Sequence, residues 1–243
     1  MSKLSYVFGG IALPFSQEPS DALRAVEKKL RGVGISPEKC KLAICKKSVD
    51  ARHKDDIKLI YSVLVSSEQL SQKEGDRILK LGARAVENKD LEVKLGNETM
   101  QKRPLVVGMG PAGMFCALIL AENGYKPIII DRGDRVADRV AAMDRFYSEH
   151  ILDTESNIQF GAGGAGTFSD GKLITRIGDP LSSYVLDKLV EFGAPSEIRF
   201  QARPHIGTDI LSSVVQRISE RITDVGGRVL YNTKMLDIIS EGG

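Results

Sequence analysis

The sequence predicts an α/β chain: a βαβ domain with a parallel sheet over residues 99–243, preceded by a small α+β domain over 1–98. Three observations predict it. After Pro104, short aliphatic runs alternate with apolar helical segments, the composition of buried parallel strands. Ahead of that point, alternating strand patterns mix with amphipathic helical spacing. Between them lies a charged stretch, Asn88 to Arg103, that contains Gly96 and Asn97 and reads as the domain junction.

In the first domain, Leu4 to Pro14 has strand character. Asp21 to Leu30 has helical spacing in Leu23, Val26 and Leu30, with Ser20 as the expected N-cap and Gly32 near the stop. Lys41 to Val49 and Ile57 to Val65 are strands. The second places Ile57, Leu59, Tyr61, Val63 and Val65 on one face, and the polar segment Asp50 to Asp56 turns between the two. Ser71 to Val86 resumes a helical pattern through Ile78, Leu81 and Ala85. No nucleotide fingerprint or metal-ligand spacing occurs in this domain.

In the second domain, Pro104 to Gly108 is a short buried strand, Pro111 to Asn123 an apolar helix with Gly124 at its stop, and Lys126 to Asp131 a second strand. Helices follow near Ser182 to Phe192 and Asp209 to Val225, then a strand at Arg228 to Tyr231. A further strand is expected over Lys234 to Ser240. The closing Glu241-Gly242-Gly243 reads as a hairpin turn without its return strand, so a fragment of a longer protein is expected.

Bulk composition excludes several classes. The chain has 243 residues, enough for one large domain or two modest ones, with an ordinary globular mixture of 42% apolar and 27% charged residues. A net charge of +2 is too small to argue for nucleic acid or a membrane surface. Basic residues do cluster between Arg24 and Lys54, but without interleaved aromatics this reads as a solvated face. Cys40, Cys45 and Cys116 form no C-x-x-C pair and fit a reducing compartment, with Cys116 expected to be buried in its helix. No signal peptide is evident, and the longest apolar run, near Met114 to Ala121, is too short to span a membrane. A soluble, cytoplasmic protein is expected.

The main chemical signal is Gly108-Met109-Gly110-Pro111-Ala112-Gly113. A G-x-G-x-x-G motif alone is weak. Here a strand precedes it, a helix follows, and Asp131 stands at the end of the next strand, which is the Rossmann-like dinucleotide-binding context. Gly108 permits the tight turn, Gly110 lets a pyrophosphate approach the backbone, and Gly113 lets helix and strand pack closely. The helix N-terminus offers free N–H groups and a favourable dipole. Asp131 suits a ribose hydroxyl of FAD or of NAD alike.

The second signal is the glycine-rich block from Asn157 to Leu173. Its small residues supply backbone N–H groups for a flat heterocycle or a phosphate, and Phe160, Phe168 and Leu173 anchor it against disorder.

Together, Pro111-Ala112-Gly113, Asp131-Arg132-Gly133, the block Ser156 to Gly161 through Lys172-Leu173, and Pro204-His205-Ile206-Gly207-Thr208-Asp209 resemble the FAD-dependent dehydrogenases often labelled NAD(FAD)-utilising dehydrogenases. Lys47-Ser48-Val49-Asp50-Ala51-Arg52 resembles a segment ahead of the flavin domain in that family. The similarity runs over nearly the whole chain. One departure is Ala162, where the family pattern carries an acid.

The resemblance implies an FAD-dependent oxidoreductase with an unknown small-molecule substrate or electron donor or acceptor, NAD(P)H being one candidate. Gly108, Gly110, Pro111, Ala112 and Gly113 would cradle the diphosphate, and Asp131 would hold the adenosine ribose with Arg132 beside it. Gly163, Gly164, Gly166 and Thr167 would lie near the flavin, and Met235 beside the adenine. Arg139 and Arg145 follow the acid on a helix, from which one could reach the diphosphate, although surface charge is the simpler reading for each. His205 suits a general acid, but the simpler reading is a structural histidine ahead of Thr208 and Asp209 as helix caps; His53 and His150 have no partners at metal-ligand spacing. No residue stands out as catalytic and no metal site is expected. Two other readings are an NAD-dependent dehydrogenase without flavin, and a nucleotide- or RNA-binding module that holds its cofactor structurally.

Overall fold

The computed structural model describes residues 4–87, 93–98, 100–169, 171–173 and 179–240. The expected turn at Glu241-Gly242-Gly243 lies outside them, as do 88–92 and 99 of the expected junction. The fold is mixed α/β, with one antiparallel and one parallel sheet. The chain divides into two compact units, the first built on residues up to Glu92 and joined by 176–184 and 197–204.

The first unit contains β1 (Leu4–Pro14), α1 (Pro19–Gly32), β2 (Lys41–Asp50), β3 (Lys58–Ser67), α2 (Gln72–Lys80) and β4 (Arg84–Val86). The sheet order is β2-β3-β1-β4, a split βαβ arrangement. Tyr6 and Phe8 of β1 alternate inward, yet so do Ile11 and Leu13, which regular pleating would turn outward. A bulge between Phe8 and Ile11, at Gly9-Gly10, inserts the extra residue that returns both pairs to one face. They pack with Leu59, Tyr61, Val63 and Val65 of β3 and with Ala22, Val26 and Leu30 of α1. Ile57 precedes β3 and is exposed.

Two further expectations change here. Glu18, not Ser20, caps α1, and its N–H donates to the Asp21 carboxylate at 3.2 Å. The helix expected through Val86 ends at Lys80, because Gly82 adopts φ 88° and turns the chain into β4. The edge of β2 is covered from far along the sequence: the Lys47 N–H donates to the Phe200 carbonyl at 2.8 Å.

The second unit contains β5 (Leu105–Val107), α3 (Pro111–Glu122), β6 (Ile128–Ile130), α4 (Val136–Glu149), α5 (Pro180–Glu191, from Val185 onward), α6 (Thr208–Asp224) and β7 (Arg228–Leu230). Its parallel sheet runs β5-β6-β7. Met114, Ala117, Leu118 and Ala121 of α3 and Val214, Val215, Ile218 and Ile222 of α6 are buried, as is Ile129 at the sheet centre. Lys188 of α5 reaches Glu122 of α3 at 2.9 Å. Cys116 is exposed, not buried, because α3 is apolar all round and this position faces away from the core. No strand forms over 234–240. Among the described residues no helix is long and apolar enough to cross a membrane.

Candidate functional site

The site begins where β5 turns into α3. Gly108 takes φ 91° and its N–H donates to the Ile130 carbonyl at 2.8 Å. A Cβ on Gly113 would stand 1.9 Å from the Gly108 carbonyl oxygen, so only glycine lets the helix seat on its own turn. Beside Gly110 no heavy atom lies within 4 Å of where a Cβ would be. Gly110 caps α3 without a side chain, and Pro111 opens the helix. By helix geometry the N–H groups of Ala112 and Gly113 have no intrahelical acceptor.

Asp131 follows β6 and is 7% exposed. Its Oδ2 accepts the Met109 N–H at 2.7 Å and its Oδ1 accepts the Gly133 N–H at 2.8 Å. A carboxylate has about four acceptor positions, so both oxygens keep one for a further donor. Its carbonyl accepts the Thr233 N–H at 2.8 Å, which draws the segment after β7 toward the site.

The glycine-rich block packs onto this corner. Gly163 donates its N–H to the Met109 carbonyl at 2.8 Å, and a Cβ on Gly164 would lie 3.3 Å from Pro111 and 3.4 Å from Gly110. A cleft of about 300 Å³ opens between these parts. Of the expected residues, Gly108, Gly110, Asp131, Arg132, Gly164 and Met235 line it. Pro111, Ala112, Gly113, Gly163, Gly166 and Thr167 do not line it. Gly113 and Thr167 instead build the scaffold behind it: Thr167 is buried and donates to the Gly164 carbonyl at 3.0 Å. Met235 sits at the rim on irregular backbone, not on the strand expected there. A larger hollow of about 640 Å³ at the C-terminal end of α3 holds none of the expected residues.

Several contacts at the cleft lack a local signal in the sequence. Arg132 stacks over the Phe160 ring at 4.4 Å and binds Glu155 at 2.7 Å; Lys234 binds Glu155 at 2.9 Å. These contacts span 23 and 79 residues, beyond the reach of any spacing rule. The Arg132 and Lys234 hydrogen bonds hold the Glu155 carboxyl well below its ordinary range, at about 2.

Arg139 corrects the surface reading: it is 0% exposed, whereas Arg145 is exposed. Its guanidinium donates to the carbonyls of Asn157, Ile158, Ala162 and Gly164 and to the Thr167 hydroxyl, and stacks over Phe168 at 4.7 Å. Burial lowers its pKa to about 10, which leaves it charged at neutral pH.

His205 is exposed, and its neighbour Ile206 donates its N–H to the Gly171 carbonyl at 2.8 Å. Gly207 caps α6, with Thr208 and Asp209 inside its first turn, which corrects the expected caps. Among the described residues no group of three or more His, Cys, Asp or Glu could hold a metal ion.

Residues 11–66, which run through β1 to β3, match a family model described as "Domain of unknown function (DUF8436)". The chain is 44% identical over 229 residues to an "Uncharacterized protein" of Clostridium beijerinckii (strain ATCC 51743 / NCIMB 8052). The match covers 92% of this chain and 42% of that protein, so the chain spans about two-fifths of the length of the curated relative it matches.

Proposed function

We propose that the chain is the dinucleotide-binding portion of an FAD-dependent oxidoreductase, with a Rossmann-like second unit and an unidentified small-molecule electron donor or acceptor. One observation carries the reading: the open space beside Gly110 lies on the same cleft as Asp131, at the N-terminus of α3. A diphosphate approaching Gly110 would meet free N–H groups and the positive end of the helix dipole. A ribose hydroxyl would donate to the positions that Asp131 keeps free. The bare backbone of Gly110 leaves room for this ligand class, and the absent Cβ atoms of Gly113 and Gly164 let α3 and the glycine-rich loop close up around it.

When bound, the flavin would supply the redox chemistry by accepting and passing on a hydride or electrons. The chain's own residues bind and orient. Gly164 closes the loop onto Gly110 and Pro111, and Arg132, braced by Glu155 and Phe160, lines the cleft beside Asp131.

The test is an absorbance spectrum of the purified full-length protein before and after denaturation, with the released cofactor identified by mass. A flavin band and released FAD are expected. A colourless protein that binds NAD and not FAD would replace this reading with a nicotinamide dehydrogenase. Binding of neither would overturn the dinucleotide site.

A further inference from the structure

A fully buried arginine lies directly behind the cleft. Both Gly161 and Gly164 line the cleft and both touch Arg139: a Cβ on Gly161 would stand 2.4 Å from the Arg139 Cδ, and the Gly164 carbonyl accepts from its guanidinium at 3.0 Å. Its remaining acceptors are the carbonyls of Asn157, Ile158 and Ala162 and the hydroxyl of Thr167. Among the described residues no carboxylate touches it, and the acids that act on it from farther off are Asp131 and Asp134.

A buried charge without an ionic partner is costly, and simple core filling does not require one. What the planar fork supplies is geometry. Its five N–H groups converge acceptors from both ends of the Asn157–Thr167 loop onto one rigid plane, which lysine cannot do.

We propose that Arg139 is the positioning residue of the dinucleotide site, holding Gly161–Gly164 against the N-terminus of α3 in the geometry that admits a diphosphate. This rests on the dinucleotide-binding reading above. It extends the site to a residue that touches no ligand and acts through the loop it holds.

The test pairs amide hydrogen exchange of the ligand-free full-length protein with ADP titration, using wild type and Arg139→Lys. In the variant, amides of 157–167 should exchange roughly tenfold faster while α3 and α6 keep their wild-type protection, and ADP affinity should fall roughly tenfold. Unchanged loop exchange overturns the proposal. So does a rise shared equally by α3 and α6, which marks a general core role, and so does a loosened loop with ADP affinity intact. If Arg139→Lys does not fold, Thr167→Ala removes one acceptor and should move both readouts in the same direction by less; no movement overturns the proposal. A wild-type protein that binds neither ADP nor FAD overturns the dinucleotide reading itself, and is told apart because the wild type fails.

Discussion

The Asp131 carboxylate accepts the Met109 N–H at 2.7 Å, joining the end of β6 to the middle of the glycine turn that opens α3. The acid and the turn are one structural unit before any ligand arrives. Asp131→Asn should therefore cost both stability and binding. The amide must present its NH2 group to either the Met109 or the Gly133 donor, leaving a buried N–H unpaired, at about 1–3 kcal/mol. Denaturant unfolding and FAD titration of the same variant check this; a variant as stable as wild type contradicts it.

Gly113→Ala tests the close approach of α3 to its own turn. The new methyl would stand 1.9 Å from the Gly108 carbonyl, against backbone that cannot swing aside. The expected loss is about 1–3 kcal/mol, read from the denaturant midpoint.

The Arg132–Glu155–Lys234 cluster sets a pH dependence. The Glu155 carboxyl is depressed to about 2, chiefly by Arg132 and then by Lys234. A depressed carboxylate contributes stability that is present above its unfolded value near 4.5 and is lost as pH falls toward about 2. The groups are a third to a half exposed, so the effect is modest and salt weakens it. Unfolding of wild type and Glu155→Gln across that window should converge at its acid end.

In the first unit, Gly75 of α2 lies against Tyr6 of β1, and a Cβ there would stand 2.0 Å from the Tyr6 hydroxyl. Gly75→Ala should destabilise this unit by about 1–3 kcal/mol. Tyr6→Phe in the same chain should recover part of the loss, giving a non-zero coupling in a double-mutant cycle.

The features readable in the sequence are those encoded locally. Gly108, Gly110, Gly113 and Asp131 fall at spacings that a strand-turn-helix-strand unit dictates, and they meet at one cleft corner, apart from Gly113, which builds its scaffold. The apolar alternation of β3 and the periodicity of α6 are equally local. What escaped is decided by partners distant in the chain. Arg139 looks like surface charge in a helix, and only the return of 157–167 buries it. Cys116 reads as core because every face of α3 is apolar. Lys234–Ser240 has strand composition, but strands need a ladder, and none forms among the described residues. The apolar spacing of Leu81 and Ala85 carries a helical pattern past Gly82, where the left-handed backbone turns the chain into β4.

On the proposed reading, a dinucleotide enters over the bare backbone of Gly110. Gly110 has φ −70° and ψ 178°, extended backbone that valine adopts freely, with open space beside it. Fluorescence titration of FAD into wild type and Gly110→Val, beside their unfolding transitions, tests this most directly. Saturable binding by wild type, its loss in the variant and the same unfolding midpoint for both are expected. Equal FAD binding by the two proteins would contradict that reading.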